Sequence, residues 1–166
     1  MTVSAGKILL STPALDDPDF DKVVIFIAEY NANGALGFVI NKIFPRAFNE
    51  LIEFKQSMPM PLYEGGPVEQ EHLFFLHRRP DLIEDGIRVI DSIYLGGDFK
   101  KAVQCINDKL IAANDIKLFI GYSGWEDNQL EDEIAEGSWL VTDTNVSTIF
   151  SDSIASLWEE FYTARG

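Results

Sequence analysis

The residue types that could do chemistry in this chain occur only as partial arrangements. Asp16-Asp-Pro-Asp-Phe-Asp21 places carboxylates at alternate positions 17, 19 and 21, as in the first half of a calcium-binding loop. Such a loop also needs a glycine where Lys22 stands and a bidentate glutamate where Ala28 stands, so the segment reads as a solvated turn. Gly121-Tyr-Ser-Gly124 approaches the hydrolase elbow G-x-S-x-G, but Trp125 holds the last glycine position. A nucleophilic serine also needs a base. The two histidines, His72 and His77, sit at opposite ends of one strand-like run, and their odd spacing sends the side chains to opposite faces.

Cys105 stands mid-helix beside the apolar stripe, with Lys101 one turn away as its nearest thiolate stabiliser, and reads as a buried, inert thiol. No Walker A loop occurs, and Gly65-Gly66 and Gly96-Gly97 lack the spacing of a dinucleotide fingerprint. Glu126, Asp127, Glu131, Asp132, Glu133 and Glu136 could attract a cation, yet acid in an early helical turn is what the helix dipole favours anyway. Neither a metal nor a cofactor is expected.

The elements that must position these residues follow from apolar periodicity. Residues 7–11 read as a short strand, and the β-branched run 23–30 reads as a central strand buried on both faces. Asn31-Ala-Asn-Gly34 turns the chain into a second apolar run, 35–40, predicting an antiparallel hairpin with Asn and Gly supplying positive φ. Phe48, Leu51 and Ile52 share one face of a short helix expected near 46–55, capping the sheet. Strands are expected at 72–77, 86–90, 117–122 and 138–142, with a brief pairing at 94–95.

Asp98 predicts the N-cap of a helix reaching about Asn114, with Phe99, Val103, Ile106 and Leu110 along one side. An acidic helix is expected within 124–136. The last helix carries Ile154, Leu157, Trp158, Phe161 and Tyr162 on a broad face that must pack on the body of the domain. Strands arriving partly as hairpins and partly through helices favour an α+β fold with a mixed sheet over a doubly wound one.

The chain has 166 residues, 46% of them apolar, enough for one self-sufficient core, and no linker-like tract or fixed-period repeat divides it. One domain over 1–166 is therefore expected. A single cysteine allows no intrachain disulfide and suits a reducing compartment. The N-terminus carries no basic cluster, and no apolar run approaches the roughly 20 residues that span a bilayer. A cytoplasmic protein away from membranes is the expectation. Net charge is −14, so direct nucleic-acid binding is disfavoured, and solubility accounts for most of that acidity.

Four stretches together resemble a known family. They are Gly6-Lys-Ile-Leu-Leu-Ser-Thr-Pro13 with Asp17-Pro-Asp-Phe20, Gly34-Ala-Leu-Gly-Phe-Val-Ile-Asn41, Gly65-Gly-Pro-Val68 with Leu73-Phe-Phe-Leu-His77, and Gly121-Tyr-Ser-Gly-Trp125 with Gln129-Leu-Glu131. In order and extent they are similar to the YqgE/AlgH family of bacterial proteins. The resemblance implies a single compact α+β domain whose mixed sheet is bent or partly barrel-like and surrounded by helices. It implies no established activity, although some members are labelled transcriptional regulators without a recognised DNA-binding motif. The family usually has Ala where Ser123 stands, which makes Ser123 a poor nucleophile. It usually has Gly where Asn128 stands, and Asn tolerates the left-handed backbone such a turn needs.

The residues of these motifs that suit turns and hydrogen bonding are Asn41, Gly65, Gly66, Pro67, His77, Tyr122, Trp125, Gln129 and Glu131. Trp125 offers a flat apolar face, and Gln129 and Glu131 offer acceptors. The competing reading makes Gly and Pro turn formers, Trp125 core, and Gln129 or Glu131 backbone caps. The leading functional expectation is a noncatalytic binding or regulatory domain that contacts a protein or small molecule through the Gly-Gly-Pro and Gly-Tyr-Ser-Gly-Trp loops. The alternatives are a transcriptional regulator, indirect or direct, and an unrecognised enzyme pairing His77 with Glu131.

Overall fold

Runs of β-branched and aromatic residues become strands in the computed structural model, which describes residues 2–164. These are β1 (Ile8–Ser11), β2 (Val24–Asn31), β3 (Gly34–Val39), β4 (Leu62–Glu64), β5 (Val68–His77), β6 (Ile87–Ile90), β7 (Ile93–Leu95), β8 (Ile116–Glu126) and β9 (Trp139–Thr142). They form one sheet in the order β6-β7-β5-β8-β3-β2-β1-β9, with β4 added alongside β8. Every neighbouring pair is antiparallel except β4 with β8, so the sheet is mixed as expected. Among the described residues it does not close: β6 and β9 are its two ends, and the architecture is an open-sheet α+β domain.

The long strand β8 joins the two halves. Residues Ile116–Ile120 pair with β5 on one side, and Leu118–Ile120 pair in parallel with β4 on the other. From Ser123 onward the second partner becomes β3. Apolar side chains on alternate positions fill opposite faces. Ile8, Leu10, Val24, Phe26 and Phe38 share one cluster, while Leu9, Val23, Ile25, Ile27 and Val39 share another. A third cluster packs α1 (Phe99–Asn107) against Phe75, Ile116, Leu118 and Ile120 through Ala102 and Ile106. Each fully buried Leu, Ile or Phe stabilises the fold by roughly 1.5–3 kcal/mol relative to exposure.

Several sequence expectations are corrected. The segment 46–55 forms two 3-10 turns, Phe48–Glu50 and Ile52–Phe54, separated by Leu51 in an extended conformation (ψ 139°). The break points Ile52 outward while Phe48 is fully buried, so the apolar spacing does not mark one helical face. Helix α1 begins at the Asp98 cap as expected, the Asp98 carboxylate accepting from the Lys101 amide at 3.1 Å, but it ends at Asn107. Lys109 adopts positive φ, and the amides of Lys109 and Leu110 donate back to Ile106 O and Cys105 O, closing the helix in a Schellman arrangement.

In the β2–β3 turn only Gly34 has positive φ. Asn31 acts through its side chain, accepting from the Asn33 amide at 2.8 Å. Gly124 to Glu126 extend β8, and α2 (Gln129–Ala135) starts after Asn128, whose φ of 66° supplies the left-handed turn. The chain then forms α3 (Val146–Phe150) and α4 (Leu157–Ala164). Helix α4 packs on β1, where Trp158 Nε1 donates to Ser11 O at 2.9 Å.

Candidate functional site

The glycine motifs meet where β4 gives way to β3 beside β8. Gly65 N donates to Ile120 O and Gly65 O accepts from Val39 N, both at 2.9 Å, while Ser123 Oγ donates to the same Gly65 O at 3.1 Å. A Cβ on Gly66 would collide with the backbone of Tyr122 and Ser123, and one on Gly121 would lie 2.5 Å from Gly66 O. These glycines therefore allow two backbones to touch, and Ser123, fully buried and bonded to Gly65, serves that junction. Pro67 is exposed at its edge, and Gln70 Nε2 donates to Gly66 O at 3.0 Å.

Trp125 does not offer its face to solvent. It is 7% exposed and packs edge-on against Trp139, with ring centroids 5.8 Å apart. One oxygen of Glu133 accepts from both indoles, at 3.0 Å from Trp125 and 2.9 Å from Trp139, and the other accepts from Gln129 Nε2 at 3.2 Å. Gln129 Oε1 also accepts from the Glu126 amide at 2.9 Å, holding the start of α2 against the end of β8. Glu131 accepts from the Tyr30 hydroxyl, and that bond pushes the phenol up to about 12.

The other motif residues lie elsewhere. Asn41 accepts from Val24 N at 2.9 Å and donates to Lys22 O at 3.0 Å, tying the end of β3 to the start of β2. His77 is fully buried between Phe75 and Tyr94. Its Nδ1 accepts from the Arg79 amide at 3.1 Å, which fixes the neutral tautomer whose Nε2–H donates to Gly96 O at 3.0 Å. Burial lowers its pKa. His77 and Glu131 thus have separate partners in separate parts of the fold and share no contact, so the suggested acid/base pairing is not assembled here.

Tyr122, Trp125 and Gln129 do converge, along the wall of an open cleft of about 710 Å³ at the tip of the β2–β3 hairpin. Its remaining polar wall is Glu29, Asn31, Asn33 and Glu126, and none of the described Lys, Arg or His residues lines it. Tyr122 is half-buried, and desolvation together with a hydrogen bond to Glu69 raises its pKa. The presence of Glu29 here depends on a bulge. Ile27 pairs with Gly37, but Glu29 pairs with Leu36, leaving Ala28 unmatched. The extra residue sends Glu29 to the face of Leu36 and Phe38, and Tyr30 to the opposite face against α2.

Beside the cleft lies a smaller, mainly apolar pocket of about 330 Å³ lined by Leu36, Phe38, Phe74, Leu95 and Phe99 among others, with Glu29 and Leu36 common to both. Neither Glu29 nor this pocket stood out in the sequence, because the bulge that exposes them has no local signature. In the sequence Lys117 is only the first residue of an apolar strand-like run. It is 3% exposed, and its Nζ donates to Ile40 O at 3.2 Å and to Ile149 O and Ser151 O at 3.1 Å. All three ammonium donors are thereby taken by the fold. Glu69, Glu71 and His72 bring ligand atoms within 4.8 Å of one another, but all three are exposed side chains of one strand segment.

A family model described as DUF179, AlgH-like, matches residues 8–166. A UPF0301 protein of Cytophaga hutchinsonii is 34% identical over 165 residues, covering 99% of this chain and 91% of its own length. One from Chlorobaculum tepidum is 35% identical over 161 residues, covering 97% and 86%. Among solved structures, the AlgH protein of Pseudomonas aeruginosa, itself a UPF0301 protein, aligns with a TM-score of 0.80 at 24% identity over 99% of this chain and 92% of that one. A protein from Corynebacterium diphtheriae aligns with a TM-score of 0.82 at 20% identity, covering 100% and 89%. At those identities the two structures speak to the fold alone.

Proposed function

The chain belongs to the AlgH-like family, which has no established activity, and from that we propose a noncatalytic, cytoplasmic binding or regulatory domain whose cleft receives a basic segment of a partner protein. One observation carries this reading: the cleft of about 710 Å³ presents Glu29 and Glu126 with Asn31, Asn33 and Gln129, and among the described residues no basic side chain lines it. In a chain of net charge −14, the surrounding field adds to theirs and draws a cationic segment in. Small-molecule sites are mostly apolar and enclosed, whereas this cleft is polar and open, which suits an extended peptide.

Supporting the noncatalytic part, the groups best suited to nucleophilic or base chemistry are each bonded into the architecture. Ser123 donates to Gly65, His77 has both ring nitrogens on backbone partners, and Lys117 donates to three carbonyls. Any influence on transcription would run through a protein partner, since phosphate contacts would be made against the charge of the whole molecule.

The test is an anisotropy titration with a dye-labelled peptide of alternating lysine and glycine. Saturable binding is expected, weakened at least about fivefold by Glu29→Gln with Glu126→Gln, and weakened again by added salt. Undiminished binding to the folded double variant would refute the placement of the partner.

A further inference from the structure

We infer that the partner segment carries a bulky apolar side chain next to its basic residue, and that this side chain inserts into the pocket lined by Leu36, Phe38, Phe74, Leu95 and Phe99. The inference rests on the reading of the cleft given above and specifies which basic segment it accepts. Pocket and cleft form one trough, because Glu29 and Leu36 belong to both. A row of rings runs between them: Phe38 lies 6.0 Å from Phe74, and Phe74 meets Tyr122 edge-on at 5.5 Å, so the aromatic wall continues from pocket to cleft.

The surfaces on offer are unfinished as core. Leu36, Phe74, Leu95, Phe99 and Tyr122 remain half-buried beside the fully buried Phe38. A pocket of about 330 Å³ has room for one aromatic or branched side chain, and Gly96 at its rim has nothing within 4 Å of the place a Cβ would occupy. Burial of such an anchor is what concentrates binding energy at protein interfaces.

Glu29 fixes the chemistry of the neighbouring position. It is half-buried and stands where the apolar and polar parts join, and its carboxylate forms no hydrogen bond or ion pair among the described residues. The β2 bulge is the device that brings it there, since regular alternation from Ile27 would have put it on the opposite face, towards α2. An unpaired carboxylate beside an aromatic wall favours a Lys or Arg side chain, which can bond the carboxylate and rest its cationic head on a ring face. The complementary segment is therefore a Lys or Arg with a Phe, Trp or Leu close to it in sequence.

Two synthetic peptides separate this inference from the reading beneath it: one of alternating lysine and glycine, and the same peptide with its central glycine replaced by phenylalanine. Each is titrated into ¹⁵N-labelled protein, following affinity and the amide shifts of Leu36, Leu95, Gly96, Gly97 and Phe99. The phenylalanine peptide is expected to bind at least about tenfold more tightly and to move those amides. Leu95→Trp, which fills the pocket, should remove the gain; if that variant does not fold, the two peptides and the shift map on the native chain decide alone. Equal affinities, with shifts confined to Asn31, Gly34 and Glu126, would overturn the apolar anchor and leave the basic-segment reading standing. No binding by either peptide would overturn both. Shifts at the pocket amides that grow with protein concentration before any peptide is added would assign the trough to a second copy of this chain and overturn the inference.

Discussion

Glu29 faces Leu36 across the β2–β3 ladder one residue out of step with the preceding pair, Ile27 and Gly37. That displacement puts a carboxylate without a side-chain partner among the described residues beside a half-buried apolar pocket, where it gains no ion pair to offset its partial desolvation. Glu29→Leu should therefore leave stability unchanged or raise it by about 0.5 kcal/mol, while lowering affinity for a lysine-containing peptide. Urea denaturation and peptide titration of the same variant check both halves. A loss of stability above about 1 kcal/mol would mean that Glu29 has a structural role after all.

Glu133 is the acceptor on which two tryptophans depend. Removing it by Glu133→Ala leaves the indole N–H groups of Trp125 and Trp139 without their shared partner at a largely buried site. The expected cost is about 2–3 kcal/mol in chemical denaturation, with a red-shifted tryptophan emission as water reaches the indoles. Glu133→Gln keeps one acceptor oxygen and should cost less.

The glycines divide into two kinds. Gly66→Ala would drive a methyl group into the Tyr122–Ser123 backbone, and no flexible side chain can yield there, so failure to fold is expected. Gly137 has φ 86° but nothing within 4 Å of its missing Cβ, so Gly137→Ala should cost only about 1–2 kcal/mol of backbone strain. Thermal melts of the two variants compare crowding with strain directly.

Lys117 predicts a pH dependence. Burial lowers its pKa from 10.5 to about 7, opposed by the attraction of Asp152. Between those values the unfolded chain holds a proton that the folded chain has released. Unfolding therefore takes up a proton, and stability rises with pH across that window. Below about pH 7 both states are protonated and the contribution is constant. Relative to Lys117→Met, the native protein should gain stability as pH climbs from 7 towards 10.5 in urea titrations. A falling difference would contradict the assignment.

How much of this was legible in the sequence depended on the range of the interaction responsible. The β2–β3 hairpin was visible because a turn and two flanking apolar runs specify it locally, and the Asp98 cap was visible because capping acts within three residues. The end of α1 was not, since Leu110 continues the apolar period while Lys109 breaks the backbone geometry beneath it. Apolar spacing at 46–55 likewise fitted a helix, and one extended residue, Leu51, undid it.

For the site, motif membership pointed to Tyr122 and Gln129, which do line the cleft. It also pointed to Trp125, whose ring is largely buried and whose fate depended on Glu133 and Trp139 arriving from later in the chain. Glu29 is not legible in the sequence because a bulge is a property of two strands together, and strand β2 by itself gives the wrong face.

The most direct test of the cleft is a double-mutant cycle between Glu29→Gln and replacement of the lysine in the bound peptide by glutamine. A coupling of about 0.5–1 kcal/mol, shrinking as salt is added, is predicted if the carboxylate receives the cation. Additive effects of the two changes, with no coupling at low salt, would contradict it.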